Sequence, residues 1–136
     1  MTVTYARETD LSFEDYVAVL SATSMRLKRP LANRARIEAM LAGANFVVAA
    51  REDGRIVGLA RCVTDAAWIC YCAELAVRED AQGKGIGRAL LEHCYELLGP
   101  GVGLILVSEP DAVGFYERTG MQRVPAAYFH PRTDRS

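Results

Sequence analysis

The stretch AVREDAQGKGIGRALLEHCYELLG, residues 76–99, places three glycines at alternate positions immediately before a helical pattern. They are Gly83, Gly85 and Gly87, and the apolar residues that follow recur at steps of three and four. A helix start carries free N–H groups and a partial positive charge, which together bind anions, and glycine lets a backbone approach a phosphate closely. The stretch therefore predicts a phosphate-binding turn before a helix over about residues 86–98, and a flexible turn that only starts a helix is the alternative.

Two familiar nucleotide-binding loops do not fit this turn. The Walker loop needs the pattern GxxxxGK[ST], which the sequence lacks. The dinucleotide fingerprint GxGxxG differs in spacing from Gly83-x-Gly85-x-Gly87, and its ribose-binding acid about 20 residues further on is poorly placed here. The turn is instead expected to wrap a pyrophosphate with main-chain N–H groups from Gln82 to Arg88, and Lys84 and Arg88 are expected to add positive charge at its rim.

Length and composition predict one globular domain spanning residues 1–136. The chain is 51% hydrophobic and 24% charged, and its formal net charge is −1. This charge does not favour a nucleic acid or an anionic membrane as partner. No apolar run approaches the roughly 20 residues that cross a bilayer, and MTVTYARETD lacks the layout of a signal peptide. A cytoplasmic protein is therefore expected.

The cysteine pattern favours reduced thiols. The four cysteines are Cys62, Cys70, Cys72 and Cys94, none of them in a CxxC pair, and the chain has two histidines. A metal site and a disulfide framework are therefore not expected. The thiols are expected to be small buried hydrophobic groups in a reducing compartment.

The remaining patterns predict the order of elements. Ser12 followed by Asp15 indicates a helix start, and a second helix is expected over about residues 30–41. Asp53 and Gly54 lie between two β-like runs and predict a hairpin. Later segments predict a strand in WICYCAELAV, a strand in VGLILV, a short helix in EPDAVGFYERTG and one or two edge strands in MQRVPAAYFHP. The order β-α-α-β-β-β-α-β-α-β predicts an α+β domain with a mixed, mostly antiparallel sheet.

Two motifs resemble those of one family. QGKGIGRALL, following ELAVRED, resembles the acyl-CoA loop of the GNAT superfamily of N-acetyltransferases, whose pattern is Q/R-x-x-G-x-G/A. Gln82, Gly85 and Gly87 occupy its positions. GFYERTGM, residues 114–121, resembles the second signature of the family, with Met121 where the family often has Phe. The predicted order of elements is also similar to that of the family along nearly the whole chain.

The resemblance implies a GNAT-like sheet flanked by about four helices, with acetyl-CoA as co-substrate. The pantetheine would lie between two splayed strands, here CAELAV and LILV. Backbone groups of Leu75 and Val77 would pair with it, and the Val77 N–H would point at the thioester carbonyl and stabilise the charge that develops there. The residues expected to contact acetyl-CoA are Leu75, Ala76, Val77, Gln82, Gly83, Lys84, Gly85, Ile86, Gly87 and Arg88.

Two catalytic residues are implied by the same resemblance. Tyr116 would donate a proton to the departing thiolate, because a tyrosine with an ordinary pKa of about 10 is protonated at neutral pH. Glu74, three residues before Val77, would act as base directly or through a water, or would hold the substrate ammonium by charge. The alternatives are a core tyrosine beside Phe115 and a polar residue at the solvated end of a strand.

Several other polar and aromatic residues are candidates for smaller roles. Ser108 or Asp111 is expected to cap the helix that carries Tyr116, and Asp111 stands where the family often has Asn. Candidate walls of an acceptor pocket are Trp68, Tyr71 and Tyr128, with sheet packing as the alternative. His130 is expected to be exposed and not catalytic. The stretch SATSMRLKRPLANRAR, residues 21–36, is basic. Its basic residues either hold an anionic acceptor or form a solvated helix surface, and they are Arg26, Lys28, Arg29, Arg34 and Arg36.

The predicted function is direct acetyl transfer from acetyl-CoA to a primary amine, with a small-molecule amine as acceptor. A covalent route through Cys70 or Cys72 is not needed for this chemistry. A non-catalytic acyl-CoA sensor and an acetyltransferase for protein lysines or N-termini remain alternatives, because a fold does not determine a function. A homodimer through the terminal strands is possible on the same reading.

Overall fold

A computed structural model describes residues 2–23 and 27–136 of the chain. The strands and helices in these residues follow the order β1 (Val3–Arg7), α1 (Phe13–Leu20), α2 (Arg34–Gly43), β2 (Phe46–Glu52), β3 (Arg55–Thr64), β4 (Ile69–Val77), α3 (Ile86–Leu98), β5 (Gly103–Leu106) and α4 (Val113–Arg118). Short 3₁₀ turns precede α3 and α4, at Glu79–Ala81 and Pro110–Ala112. None of the helices in the described residues is long and apolar enough to cross a membrane.

The strands form one sheet in the order β1-β2-β3-β4-β5. The first three pairings are antiparallel and the pairing of β4 with β5 is parallel. The sheet is therefore mixed and mostly antiparallel, as the sequence predicts. Four helices accompany it within the described residues, which also agrees with the predicted α+β architecture.

Local signals place the turns and the helix starts that the sequence predicts. The backbone N–H of Asp15 donates to the Ser12 hydroxyl over 3.1 Å, so Ser12 caps α1. Asp53 and Gly54 have φ of +53° and +81°, the conformation that a two-residue hairpin turn between β2 and β3 requires. The predicted bounds of the helix after the glycines are confirmed, because α3 spans Ile86–Leu98.

The predicted start of the second helix and the predicted tail strands are wrong. The second helix begins at Arg34 and not near residue 30, because the Asn33 side chain accepts the Arg36 N–H over 3.1 Å and caps the helix there. The tail, residues 121–136, contains no strand. It is interrupted by prolines, which lack the N–H that a strand ladder needs, and most of it is exposed.

Each face of the sheet packs against a separate hydrophobic core. On one face, Leu90 of α3 packs in one cluster with Leu75 of β4, and residues of α4 pack against this cluster. On the other face, Ile37 of α2 packs in a second cluster with Leu59 of β3 and Ala76 of β4, and buried residues of α1 belong to the same cluster. Leu90, Ile37 and Leu59 have no exposed surface, and burial of such a side chain contributes about 1.5–3 kcal/mol. Leu75 and Ala76 therefore face opposite sides of the sheet.

The edge of β4 is open over its second half. β5 pairs with β4 only from Ile69 to Cys72, whereas β4 continues to Val77. A bulge occurs at the same point, because Arg61 lies opposite Glu74 while Cys62 lies opposite Cys72, which leaves Ala73 as the extra residue. The two strands therefore separate after Cys72, as the predicted splay requires.

Candidate active site

The glycine turn before α3 exposes its backbone. Gly83 and Gly85 adopt φ of +79° and +77°, in the region that favours glycine. Gly85 is the N-cap of α3, and no side chain of the described residues caps this helix. The first N–H groups of α3 have no partner within the helix and lie at its positive end. This geometry suits an anion.

Gly87 has a different role from the two glycines before it. A Cβ at this position would lie 3.1 Å from Cζ of Phe115, on α4. Glycine is therefore needed here because the first turn of α3 contacts the Phe115 ring closely. The three glycines together shape the turn and bring α4 against it.

The polar side chains of the glycine turn differ in their contacts and exposure. Nε2 of Gln82 donates to the Val77 carbonyl over 3.2 Å and so ties the turn to the end of β4. Lys84 is exposed. Arg88 is also exposed and pairs with Glu92 over 3.1 Å, one helical turn further on.

A cleft of about 480 Å³ opens beside this turn, between β4 and α4. Seven of the residues expected to contact acetyl-CoA line it: Leu75, Val77, Gln82, Gly83, Gly85, Ile86 and Gly87. The lining is completed by Ala81, Asp111, Ala112, Phe115, Tyr116 and Arg118. Ala76, Lys84 and Arg88 do not line the cleft, and Ala76 is buried in the core on the opposite face.

Two backbone N–H groups of β4 point towards the open edge of the sheet. The Arg78 N–H donates to the Val57 carbonyl of β3 over 2.8 Å. Because N–H groups alternate in direction along a strand, those of Val77 and Leu75 point away from β3 and towards the cleft. The Ala76 N–H points towards β3, so Ala76 offers the cleft neither its side chain nor its N–H.

Tyr116 lies in the same cleft as the glycine turn. Its side chain is half-buried, and its ring meets that of Phe115 edge to face with 5.1 Å between centroids. Burial, and to a smaller degree the neighbouring Cys72, raise the pKa of the phenol above its ordinary value. Tyr116 is therefore protonated at neutral pH and able to donate.

Glu74 lies outside the cleft, in a buried cluster of charged and polar groups. The residue is 2% exposed. Nε of Arg61 donates to its Oε1 over 2.6 Å, and Nη2 of Arg61 donates to its Oε2. Nε of Arg29 donates to Oε2 over 3.0 Å, and the Tyr16 hydroxyl donates to Oε1 over 2.7 Å. Both carboxylate oxygens are thus occupied by donors.

The surroundings of Glu74 do not suit a general base. Burial raises its pKa, but the hydrogen bonds and charge of Arg61, followed by the charge of Arg29, outweigh burial and hold the pKa below its usual value. A base for an ammonium group needs a raised pKa and an accessible lone pair. The geometry therefore argues against the predicted base role and places Glu74 with groups that hold β4.

The other candidate residues lie away from the glycine turn, with one exception. Asp111 lines the cleft, but neither it nor Ser108 caps α4, whose N-cap is Ala112. Ser108 donates to the Glu109 carbonyl over 2.8 Å. Trp68, Tyr71, Tyr128 and His130 are exposed and do not line the cleft.

The basic residues that follow α1 and continue into the first turn of α2 have mixed roles. Arg26 lies outside the described residues. Arg29 belongs to the Glu74 cluster, where its Nη2 also donates to the carbonyl of the bulge residue Ala73 over 2.9 Å. Arg34 pairs with Glu14, and Arg36 pairs with Asp134 of the tail. These pairings do not form one anion-binding surface.

Comparison with known proteins identifies the family. Residues 42–122 match the model of the acetyltransferase (GNAT) domain. This match covers more than half of the chain, so the chain belongs to the GNAT acetyltransferases, an acyltransferase family that generally uses acetyl-CoA.

Particular relatives agree with this class. The chain is 37% identical over 81 residues to serotonin N-acetyltransferase 2, chloroplastic, of Oryza sativa subsp. japonica, a match covering 58% of this chain and 40% of that protein. A probable acetyltransferase from meticillin-resistant Staphylococcus aureus superimposes with a TM-score of 0.77 and 21% identity, covering 98% of this chain and 99% of the other. A GNAT family protein from Streptococcus pneumoniae TIGR4 gives 0.78 and 20%, covering 99% and 100%. The chain therefore spans two fifths of the length of its curated relative and shares the whole fold of the solved ones.

Gly85 offers a direct test of the glycine turn. Alanine in the left-handed region costs roughly 1–2 kcal/mol, and its methyl group alters the N-cap of α3. We expect Gly85→Ala to raise the Kd for acetyl-CoA at least about tenfold, as measured by calorimetric titration. Gly54→Ala is the matched control, because Gly54 has φ of +81° in the β2–β3 turn and does not line the cleft. Equal loss of affinity in both variants, or in neither, would contradict an anion site at this turn.

Proposed function

We propose that this chain transfers an acetyl group from acetyl-CoA directly to the primary amine of a small molecule. The observation that carries the proposal is one cleft that combines the open edge of β4, the glycine turn and a protonated tyrosine. Family membership supports the acetyl donor. The serotonin acceptor of the rice relative supports an amine, and the acceptor of this chain is the new part of the proposal.

The residues present fit acetyl-CoA by their shape and donors. The N–H groups at the start of α3 and the positive φ of Gly83 and Gly85 suit a diphosphate. The outward backbone groups of Leu75 and Val77 suit the amides of a pantetheine laid along the open edge. When bound, acetyl-CoA supplies the activated acyl group.

The chemistry of the chain consists of polarising a carbonyl and moving one proton. The N–H of Val77 is a fixed donor that stabilises charge on an oxygen placed beside it. Tyr116 holds a proton for the sulfur that leaves when the new amide bond forms. The thiols of Cys70 and Cys72 are buried, and burial raises the pKa of Cys70, so an acyl-cysteine is not part of the proposal.

Glu74 enters this proposal as a positioning residue. It is linked through Arg29 to the carbonyl of the bulge residue Ala73, where β4 parts from β5. The cluster thereby fixes the direction of the open edge that ends at Val77. The proton of the acceptor amine then passes to solvent water and not to Glu74.

Thiol release from acetyl-CoA in the presence of different amines tests the function. We expect turnover with an arylalkylamine or another small primary amine and little with lysine-containing peptides. Saturable acetyl-CoA binding without turnover on any amine would favour the acyl-CoA sensor, and turnover restricted to peptides would favour a protein acetyltransferase. Either result would overturn the proposed acceptor class.

Two further expectations belong with this proposal. We propose a reducing, cytoplasmic setting, which the four free buried thiols support. The predicted homodimer through the terminal strands also stays a prediction, with β1 as the terminal strand that the described residues contain, and sedimentation of the purified protein measures it.

A further inference from the structure

Arg118 is a cation in the cleft that sequence reasoning did not identify. It lies at the end of α4, is exposed, and lines the same cleft as the glycine turn. Within residues 2–23 and 27–136, no carboxylate lies within 4.0 Å of its guanidinium. Asp111, the acidic residue of the same cleft lining, is beyond that distance, and the adjacent Glu117 pairs with Arg123.

The Arg118 side chain extends back along α4 towards Gly114. Its Nη1 lies 3.2 Å from the position that a Cβ at Gly114 would occupy, so the missing side chain of Gly114 leaves room for it. Gly114 precedes Phe115, whose ring contacts Gly87 in the first turn of α3. The guanidinium therefore lies over the segment of α4 that packs against the start of α3.

We propose that Arg118 binds the diphosphate of acyl-CoA from the α4 side of the cleft, while the backbone of the glycine turn binds it from the other side. This inference rests on the proposed function. An arginine presents a planar fork of donors that suits phosphate oxygens, and such hydrogen bonds are stronger than those between neutral groups. The spacing of Gly114 and Arg118, four residues apart on one helix face, is the sequence signal for the pair.

Titration with two ligands tests this assignment. CoA and 3′-dephospho-CoA both carry the diphosphate and differ in the ribose 3′-phosphate. We expect Arg118→Ala to raise the Kd for both by the same factor, about tenfold, which corresponds to about 1.4 kcal/mol. Arg118→Lys retains the charge without the fork and is expected to recover part of the affinity, and the effect should shrink at high salt.

Arg123→Ala is the matched control, since Arg123 is exposed, neighbours α4 and does not line the cleft. It is expected to bind both ligands as the unaltered protein does. Unchanged affinity of Arg118→Ala for CoA would overturn the inference, and so would a loss confined to CoA, which would assign Arg118 to the 3′-phosphate. Failure of the unaltered protein to bind either ligand would instead overturn the proposed function.

Discussion

Replacing Tyr116 with phenylalanine is expected to lower kcat for acetyl transfer about 100-fold, the size of effect that a lost general acid produces. The substitution removes only the hydroxyl, so the edge-to-face contact with Phe115 remains. The Kd for acetyl-CoA should change little, because the backbone of β4 and the glycine turn supply the proposed binding contacts. Steady-state rates and calorimetric titration together separate the two effects.

Tyr5→Phe provides the control for this substitution. Tyr5 lies on β1, stacks on His93 and does not line the cleft. Its loss of a hydroxyl should leave kcat unchanged. A Tyr116→Phe protein that turns over at the unaltered rate would show that the proton reaches the sulfur by another route.

The pH dependence of the rate follows from the raised pKa of Tyr116. Because burial raises this pKa, the protonated and active form persists to a higher pH than for an ordinary tyrosine. We expect no loss of kcat from Tyr116 between neutral pH and about pH 10, the ordinary tyrosine pKa. A tyrosine-dependent fall in kcat well below that pH would contradict the assignment of the acid.

Glu74→Ala is expected to lower the free energy of unfolding by about 3–5 kcal/mol, since removing one partner of a buried ion pair leaves the other unpaired. Here two guanidinium groups, those of Arg61 and Arg29, would lose their shared carboxylate. Chemical denaturation measures the change. The control is Glu92→Ala, which breaks an exposed pair with Arg88 and should change stability by less than about 1 kcal/mol.

The same carboxylate predicts how stability depends on pH. The pKa of Glu74 is lower in the folded protein than in the unfolded chain, so its ionised form stabilises the fold. That contribution is fully present above the unfolded pKa of about 4.3 and is lost as pH falls through the lower folded value. Glu74→Gln cannot titrate, so the stability difference between the two proteins should narrow in acid. A constant difference would contradict the lowered pKa.

Glu74→Gln also separates positioning from base catalysis. If Glu74 were the base, kcat/KM would fall in acid as Glu74 becomes protonated, and this fall would be absent from the glutamine variant. In this account the fall of kcat/KM in acid reports protonation of the acceptor amine and not of Glu74. We therefore expect the same acidic fall in Glu74→Gln, with kcat/KM lowered at every pH because the open edge of β4 is less well held. Disappearance of the acidic fall in a folded variant would restore Glu74 as the base.

Features set by neighbouring residues could be predicted from the sequence. The bounds of α3 follow from the glycines before it and Gly99 after it, and the β2–β3 hairpin follows from Asp53 and Gly54. The predicted start of α2 is too early because the Asn33 side chain accepts the Arg36 N–H and caps the helix at that point, and apolar spacing does not reveal a cap. The predicted tail strands are absent because a local β-like pattern does not show whether another strand is available to pair with it.

Features that depend on pairing between distant residues could not be predicted. Glu74 and Arg61 are 13 residues apart and meet because of the β3–β4 register, while Arg29 reaches them from a separate loop. A single sequence therefore shows Glu74 at the expected position but does not show that Arg61 and Arg29 pair with its carboxylate. The position of Arg118 beside the cleft likewise depends on how α4 packs against α3, through the contact of Phe115 with Gly87.

The most direct test of the central claim is a calorimetric titration of the purified protein with acetyl-CoA, with CoA and ATP as comparison ligands. We predict saturable binding of acetyl-CoA and CoA and no binding of ATP, because the cleft combines a diphosphate-binding turn with a strand edge suited to pantetheine. A folded protein that binds none of these ligands, or binds ATP as well as acetyl-CoA, would contradict the assignment of this cleft to acyl-CoA, and the proposed roles of Tyr116 and Arg118 would fall with it.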